Sequence, residues 1–192
     1  SAYKFFGPHI GIMWGRRELL ESLEPYKLRP APDTLPGRWM TGTQNHECLA
    51  GVLAAIDYLA DVLGPSGNTS QPRRKRLDTA MRAINEYESQ LARRFIEGAL
   101  QIDRLMLYGI TDLNRLHERA PTFSLRMKGI GPAELAKKLG ERGIFVWHGN
   151  YYALELSEQL GMEPEGMVRV GMVHYNTPAE VDRLLAELAN FA

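Results

Sequence analysis

The residue best suited to covalent chemistry lies near the start of the chain, where Lys4 stands between aromatic side chains in SAYKFFGPH. Such a lysine can lay its aliphatic stem along an apolar surface while its ammonium group reaches water. Alternatively, an apolar environment favours the neutral amine, which can attack a carbonyl group and form a Schiff base. The segment alone supports both interpretations, and the choice depends on the rest of the chain.

A second candidate is Arg169, which lies in the strand-like run VRVGMV. Alternation along a strand places Val168, Val170 and Met172 on one face and Arg169 on the other, beside Gly171. A guanidinium group with space beside it is suited to a two-pronged pair with a carboxylate. An arginine that simply faces solvent is the alternative interpretation.

A short turn, TGT at residues 41–43, precedes a helix that is predicted to begin near His46. Hydroxyl groups and backbone amides at a helix N-terminus form a natural phosphate site. Gly42 and Thr43 are therefore candidate phosphate ligands. A threonine or asparagine that only caps the helix explains the same residues equally well.

Composition excludes several other classes of site. Lys plus Arg and Asp plus Glu are equal at 23 each, so no net charge favours nucleic acid or a membrane surface as a partner. The single cysteine, Cys48, excludes an intramolecular disulfide and suggests a reducing compartment, which we interpret as the cytoplasm. The five histidines show no metal-ligand spacing, so no metal site is predicted.

Hydrophobic patterns predict the elements in the first part of the chain. Residues 10–14 (IGIMW) form a short apolar run between glycines, which predicts a buried strand followed by a brief helix from Arg16. Prolines are frequent between residues 25 and 37, which predicts a loop. An amphipathic helix follows from His46, and the turn-rich stretch at residues 64–72 ends it as a linker.

The second part of the chain predicts helices that cover a small sheet. A long amphipathic helix is expected over residues 73–99, and a second helix from Pro132 to Gly140. A third begins at the capping box TPAE, residues 177–180. Four strand-like runs are predicted at residues 104–108, 122–127, 144–147 and 167–174. This order indicates an α+β domain with a small, mostly antiparallel sheet.

Three ordered motifs carry a resemblance to a known family: SAYKFFGPHIGIMWGRREL, MTGTQNHE and MVRVGMVHYNTPAEVDRLL. Together they resemble the class V aminotransferase family, whose members include the cysteine desulfurases and have the fold-type I architecture. The resemblance implies that residues 1–64 are the end of a large α/β cofactor domain. Residues 65–72 would then be a linker, and residues 73–192 the small C-terminal α+β domain.

The same resemblance implies roles for individual residues. Lys4 corresponds to the lysine that binds pyridoxal 5′-phosphate and moves the substrate α-proton, and Gly42 and Thr43 correspond to the phosphate loop. In the family this threonine reaches the phosphate of the other subunit, which implies a homodimer. Arg169 corresponds to the arginine that holds the carboxylate of an amino-acid substrate, and Asn150 and Tyr152 correspond to positions of the substrate loop.

The sequence also departs from the desulfurase pattern. Tyr152 stands where cysteine desulfurases carry their nucleophilic cysteine, and Tyr3 stands where many of them carry a histidine. Transamination, epimerisation and β-elimination therefore stay open. The family's remaining cofactor ligands lie upstream of the lysine, so we expect this chain to be a C-terminal half that is inactive alone. A non-enzymatic interaction domain with a structural Lys4 is the alternative from another class.

Overall fold

The structure is a computed structural model and describes residues 1–40, 42–62 and 71–191. The chain divides into two compact units, Ser1–Met81 and Arg82–Ala192. Among the described residues no helix is both long enough and apolar enough to cross a membrane. The predicted linker at residues 65–72 and the predicted helix stop at residue 64 lie mostly outside the described residues, so that boundary stays a prediction.

The first unit is helical in its described parts. A 3₁₀ helix spans Ala2–Phe5, α1 spans Arg17–Ser22, a second 3₁₀ helix spans Gly37–Trp39, and α2 spans His46–Asp61. The prolines of residues 25–36 lie in irregular backbone, as predicted. Helix α2 begins at the predicted residue and buries Val52, Ala55, Leu59 and Ala60.

The second 3₁₀ helix fixes the end of α1 through side-chain donors. The guanidinium of Arg38 donates to the carbonyl oxygens of Glu21 and Leu23 at 3.0 and 2.9 Å. The indole N–H of Trp39 donates to the carbonyl oxygen of Leu20 at 3.0 Å. These bonds satisfy carbonyl groups that a helix end otherwise leaves without partners.

Two sequence predictions for the first unit are wrong. Residues 10–14 form no strand, and the side chains of Ile12, Met13 and Trp14 are 55%, 67% and 83% exposed. A strand needs a neighbouring strand to receive its hydrogen bonds, and the described residues of this unit contain none. Leu49 and Leu53, which share the predicted apolar face of α2, are also exposed.

Helix α3 spans Arg73–Ala99, as predicted, and runs from the first unit into the second. Its first turns are joined to α2 by ion pairs from Arg73 to Asp57, at 3.3 Å, and from Arg76 to Asp61. Helix α4 spans Pro132–Glu141, α5 spans Leu154–Gln159 and α6 spans Pro178–Asn190. Helix α5 and a 3₁₀ helix at Leu113–Glu118 were not predicted.

Four antiparallel strands form the sheet of the second unit in the order β1-β2-β4-β3. Strand β1 spans Leu105–Tyr108, β2 spans Thr122–Met127, β3 spans Trp147–Gly149 and β4 spans Met167–Gly171. The small antiparallel α+β fold predicted from the sequence is thereby confirmed. Strand β3 begins at the residue where the prediction ended it, and β4 is three residues shorter at its end than predicted.

One face of the sheet packs against helices to form the core of the second unit. Phe95 of α3 and Phe123 of β2 lie at its centre, with ring centroids 4.5 Å apart. Gly98 allows a close approach of α3 to α6, because a methyl group at that position would overlap the side chain of Leu185. The opposite face of the sheet carries Arg169, the candidate anion-binding residue.

Candidate functional site around Arg169

The alternation predicted for β4 is confirmed. Val168, Val170 and Met172 are buried in the core, whereas Arg169 lies exposed on the outer face of the sheet. Strand pairing places Ser124 of β2 on one side of Arg169 and Trp147 of β3 on the other. Arg169 is therefore held at the centre of a row that crosses three strands.

The guanidinium group of Arg169 has no anionic partner among the described residues. The guanidinium makes a cation–π contact with the ring of Tyr151, whose centroid lies 5.3 Å from the guanidinium carbon. Other arginines of this unit differ: Arg126 is paired with Glu165, and Arg115 with Glu118 at 2.7 Å. An exposed guanidinium without a carboxylate keeps its forked donors available for an anionic ligand.

The turn after β3 contains Asn150, Tyr151 and Tyr152, and it brings the ring of Tyr151 beside this arginine. Tyr151 and Tyr152 both have left-handed backbone, with φ of 54° and 64°. Bulky residues rarely adopt this conformation, and such strain is concentrated at functional sites. The side-chain oxygen of Asn150 accepts a hydrogen bond from the backbone N–H of Tyr152 at 3.2 Å, which stabilises the turn.

Within this turn, the residue that contacts Arg169 is Tyr151, which the sequence did not single out. The side chain of Tyr152 is 99% exposed, whereas Tyr151 is half-buried with its ring beside the guanidinium. Burial raises the pKa of Tyr151 to about 12, against the opposing effects of the Ser124 hydroxyl and the Arg169 charge. Sequence reasoning missed Tyr151, although its place between two predicted site residues was a usable signal.

The predicted cofactor residues lie in the first unit. Lys4 is exposed within the 3₁₀ helix Ala2–Phe5, and its ammonium group makes no hydrogen bond or ion pair with a described residue. A backbone bond of 2.9 Å from Ala2 N–H to the carbonyl of Ile10 closes this turn. Tyr3 and His9 pack edge to face beside it, with ring centroids 5.0 Å apart.

The residue that caps α2 is the asparagine that follows the TGT turn by two positions. Asn45 caps α2 by accepting a hydrogen bond from the N–H of Cys48 at 2.9 Å. Thr43 is exposed, its hydroxyl makes no hydrogen bond with a described residue, and Gly42 has a φ of 93°. The first threonine of the TGT turn, Thr41, lies outside the described residues.

These donors fit a phosphorylated aldehyde such as pyridoxal 5′-phosphate. A primary amine without a partner can react with a carbonyl group, and an uncommitted hydroxyl before a helix N-terminus can donate to a phosphate. Arg169, Asn150 and Tyr152 all belong to the second unit, where Asn150 and Tyr152 share the turn whose Tyr151 contacts Arg169, and Lys4, Gly42 and Thr43 all belong to the first. No group of three or more potential metal ligands is present among the described residues.

Known proteins resemble this chain over nearly its whole length. An aminotransferase-like protein of Gibberella zeae and a cysteine desulfurase of Serratia proteamaculans are each 28% identical to it, over 98% of the chain. The chain covers 44% and 43% of these two relatives, so it spans less than half the length of the curated proteins it matches.

Solved structures share the fold. The cysteine desulfurase CsdA of Escherichia coli superposes with a TM-score of 0.75 at 21% identity, over 99% of this chain and 44% of that one. The apo cysteine desulfurase of Thermococcus onnurineus NA1 gives a TM-score of 0.65 at 24% identity, over 81% and 33%. The family model for aminotransferase class-V matches residues 74–184, more than half of the sequence. The chain therefore belongs to the aminotransferase class-V family.

Proposed function

We propose that this chain is part of a pyridoxal-phosphate-dependent enzyme that acts on an amino acid. Pyridoxal 5′-phosphate is the cofactor of the family, and Lys4 has the amine that would bind it. The observation that carries the proposal is the guanidinium of Arg169, which faces outward without an anionic partner among the described residues. An α-carboxylate is the ligand that this group recognises best.

Each residue has a defined task in this proposal. The amine of Lys4 holds the cofactor and then moves the proton at the substrate Cα. The hydroxyl of Thr43 and the backbone at Gly42 donate to the phosphate, and Arg169 orients the substrate by its carboxylate. The bound cofactor supplies an electron sink for the bond that is broken. Asn150 stabilises the turn beside Arg169, and Tyr152 lies exposed at its tip.

Reductive trapping tests the role of Lys4. The full-length protein is incubated with pyridoxal 5′-phosphate, reduced with borohydride and mapped by peptide mass spectrometry. We expect the pyridoxyl group on Lys4, and Lys4→Arg should abolish both the label and the visible absorbance. Lys27→Arg is the matched control, because Lys27 is already bound to Asp33 at 2.8 Å and to the Ala31 carbonyl at 2.9 Å. Stoichiometric labelling of another lysine would overturn the assignment.

We further infer a cytoplasmic homodimer in which Thr43 of one subunit serves the phosphate bound by the other. The support is the uncommitted, exposed hydroxyl of Thr43 and the family pattern that it matches. Mixing the separately inactive Lys4→Ala and Thr43→Val proteins should restore activity, because one site of the mixed dimer then has both residues intact. Absence of complementation, with mixed dimers shown by sedimentation and mass, would contradict sharing of the site.

A further inference from the structure

Arg169 lies over an aromatic ring whose place is set by backbone geometry. The ring belongs to Tyr151, which has a φ of 54° at the centre of the turn between β3 and α5. The backbone N–H of Ala153 donates to the carbonyl of Asn150 at 2.8 Å, and the Asn150 side chain accepts from Tyr152 N–H. These bonds fix the backbone from which the Tyr151 side chain extends, and the half-buried ring lies beside the guanidinium of Arg169.

The hydroxyl group of Tyr151 makes no competing interaction with Arg169. It is buried, and the polar group that acts on it from the neighbouring strand is the Ser124 hydroxyl. Because burial raises the pKa of Tyr151 to about 12, the phenol stays neutral at physiological pH. A phenolate at this place would pair with the guanidinium and neutralise it, whereas a neutral ring offers only its π face.

The other neighbours of Arg169 also leave its charge uncompensated. Ser124 and Trp147 lie directly opposite it on the adjoining strands, and neither carries a charge. Glu165, which lies in the loop before β4, is paired with Arg126. The contact with Tyr151 therefore restrains the guanidinium group without occupying its hydrogen-bond donors.

We propose that Tyr151 is a positioning residue that presets Arg169 for the carboxylate of the substrate. This inference rests on the proposed function, since it concerns the same anion site. A flexible arginine loses side-chain freedom when it binds a ligand. A guanidinium already restrained by a cation–π contact loses less, so the carboxylate binds more tightly. The residue acts through Arg169 and does not itself need to touch the substrate.

The test compares Tyr151→Leu with Tyr151→Phe in the full-length protein loaded with pyridoxal 5′-phosphate. Leucine removes the π face, and we expect KM for the amino-acid substrate to rise about 3-fold to 30-fold with little change in kcat. Phenylalanine keeps the face and should restore KM to within about 2-fold of the wild type. In an Arg169→Leu background, Tyr151→Leu should have no further effect on KM.

A second readout does not depend on activity. The Nε–H group of Arg169 gives a signal in a proton–nitrogen-15 correlation spectrum. The chemical shift of this signal should change in Tyr151→Leu and stay near the wild-type value in Tyr151→Phe. Tyr152→Leu is the matched control for this signal, because Tyr152 has the same left-handed backbone but an exposed side chain. An unchanged Arg169 signal in Tyr151→Leu would show that the Tyr151 ring does not restrain the guanidinium, and would overturn the proposal.

The two proposals fail in different ways. An equal rise of KM in the wild-type and Arg169→Leu backgrounds would show that Tyr151 acts through the fold alone and would overturn the positioning role. If Arg169→Leu itself leaves KM unchanged, the carboxylate role in the proposed function is wrong. The Arg169 signal would in that case still decide whether Tyr151 restrains the guanidinium.

Discussion

Gly166 lies against the backbone of Gly149, so closely that a methyl group on Gly166 would overlap the Gly149 carbonyl. Gly149 ends β3, and Gly166 directly precedes β4. This approach sets where the turn containing Tyr151 leaves the sheet. The absence of a side chain at Gly166 therefore helps to place the Tyr151 ring beside Arg169.

The first prediction follows from that contact. Gly166→Ala should destabilise the protein by more than Gly161→Ala and weaken substrate binding, as measured by thermal unfolding and KM. The two glycines have nearly the same φ, 66° and 65°, so both substitutions carry the same backbone strain. A methyl group at Gly161 meets no neighbouring atom, and the difference between the variants isolates the overlap with Gly149. Equal losses of stability in the two variants would show that the backbone strain alone is responsible and that the overlap with Gly149 contributes nothing.

The second prediction concerns the anion site. Arg169→Leu should raise KM for the amino acid by about tenfold to a hundredfold, since hydrogen bonds to charged groups contribute about 1.5 to 3 kcal/mol. Arg115→Leu is the control, because Arg115 is also exposed but is paired with Glu118 at 2.7 Å. If both variants bind substrate as the wild type does, Arg169 does not recognise the carboxylate.

The third prediction concerns sulfur. Tyr152, which the sequence resemblance aligns with the desulfurase nucleophile, carries a phenol and not the thiolate that accepts sulfane sulfur. Cys48 is half-buried in the first turn of α2 and its backbone N–H is bound to Asn45. Incubation of the full-length protein with labelled cysteine should therefore give no persulfide on Cys48, and residues 147–154 contain no thiol that could carry one, as mapped by mass spectrometry. A stoichiometric, catalytically competent persulfide on Cys48, lost in Cys48→Ser, would contradict this expectation.

The fourth prediction concerns the start of α6. The Thr177 hydroxyl accepts from the N–H of Glu180 at 3.3 Å, and the Glu180 carboxylate accepts from the N–H of Thr177 at 2.6 Å. Thr177→Ala should lower the free energy of unfolding by about 1 kcal/mol. Thr79→Ala is the control, because Thr79 is exposed within α3 and caps no helix. An equal effect of both substitutions on unfolding would contradict the capping role.

The same capping box gives a pH dependence. The backbone N–H of Thr177 lowers the pKa of Glu180, with smaller contributions from the Thr177 hydroxyl and nearby groups. The stabilisation is thus complete above the ordinary glutamate pKa and is lost as the pH falls through the lowered value. Glu180→Gln should flatten this part of the acid unfolding profile. A profile identical to that of the wild type would show that the carboxylate contributes nothing here.

Local patterns were sufficient to predict the elements whose periodicity is long or whose ends carry specific residues. Helix α3 has both predicted bounds because its apolar face repeats over 27 residues. Helix α6 begins where Thr177 and Pro178 require it to begin. Strand β2 was also predicted at both ends, because its residues alternate between buried and partly exposed positions.

Tertiary relationships explain what the sequence did not predict. The apolar run at residues 10–14 reads as a strand, but pairing depends on a neighbour that no local pattern reveals. Strand β3 was misplaced because its register is set by the opposition of Trp147 to Arg169. Tyr151 was missed because two consecutive tyrosines in left-handed backbone contradict ordinary preferences. The left-handed backbone that brings its ring to Arg169 is visible only in the folded turn.

The shortness of β3 has a consequence for association between copies of the protein. Strand β3 is an edge of the sheet, and its three residues are followed at once by the turn that begins after Gly149, where φ is 111°. An exposed edge strand can recruit a strand from another molecule, and aggregation often begins in this way. A strand this short, bent away by its own turn, offers too few backbone groups to act as a template. The geometry that places an aromatic ring beside an arginine thus also protects this edge of the sheet from intermolecular strand addition.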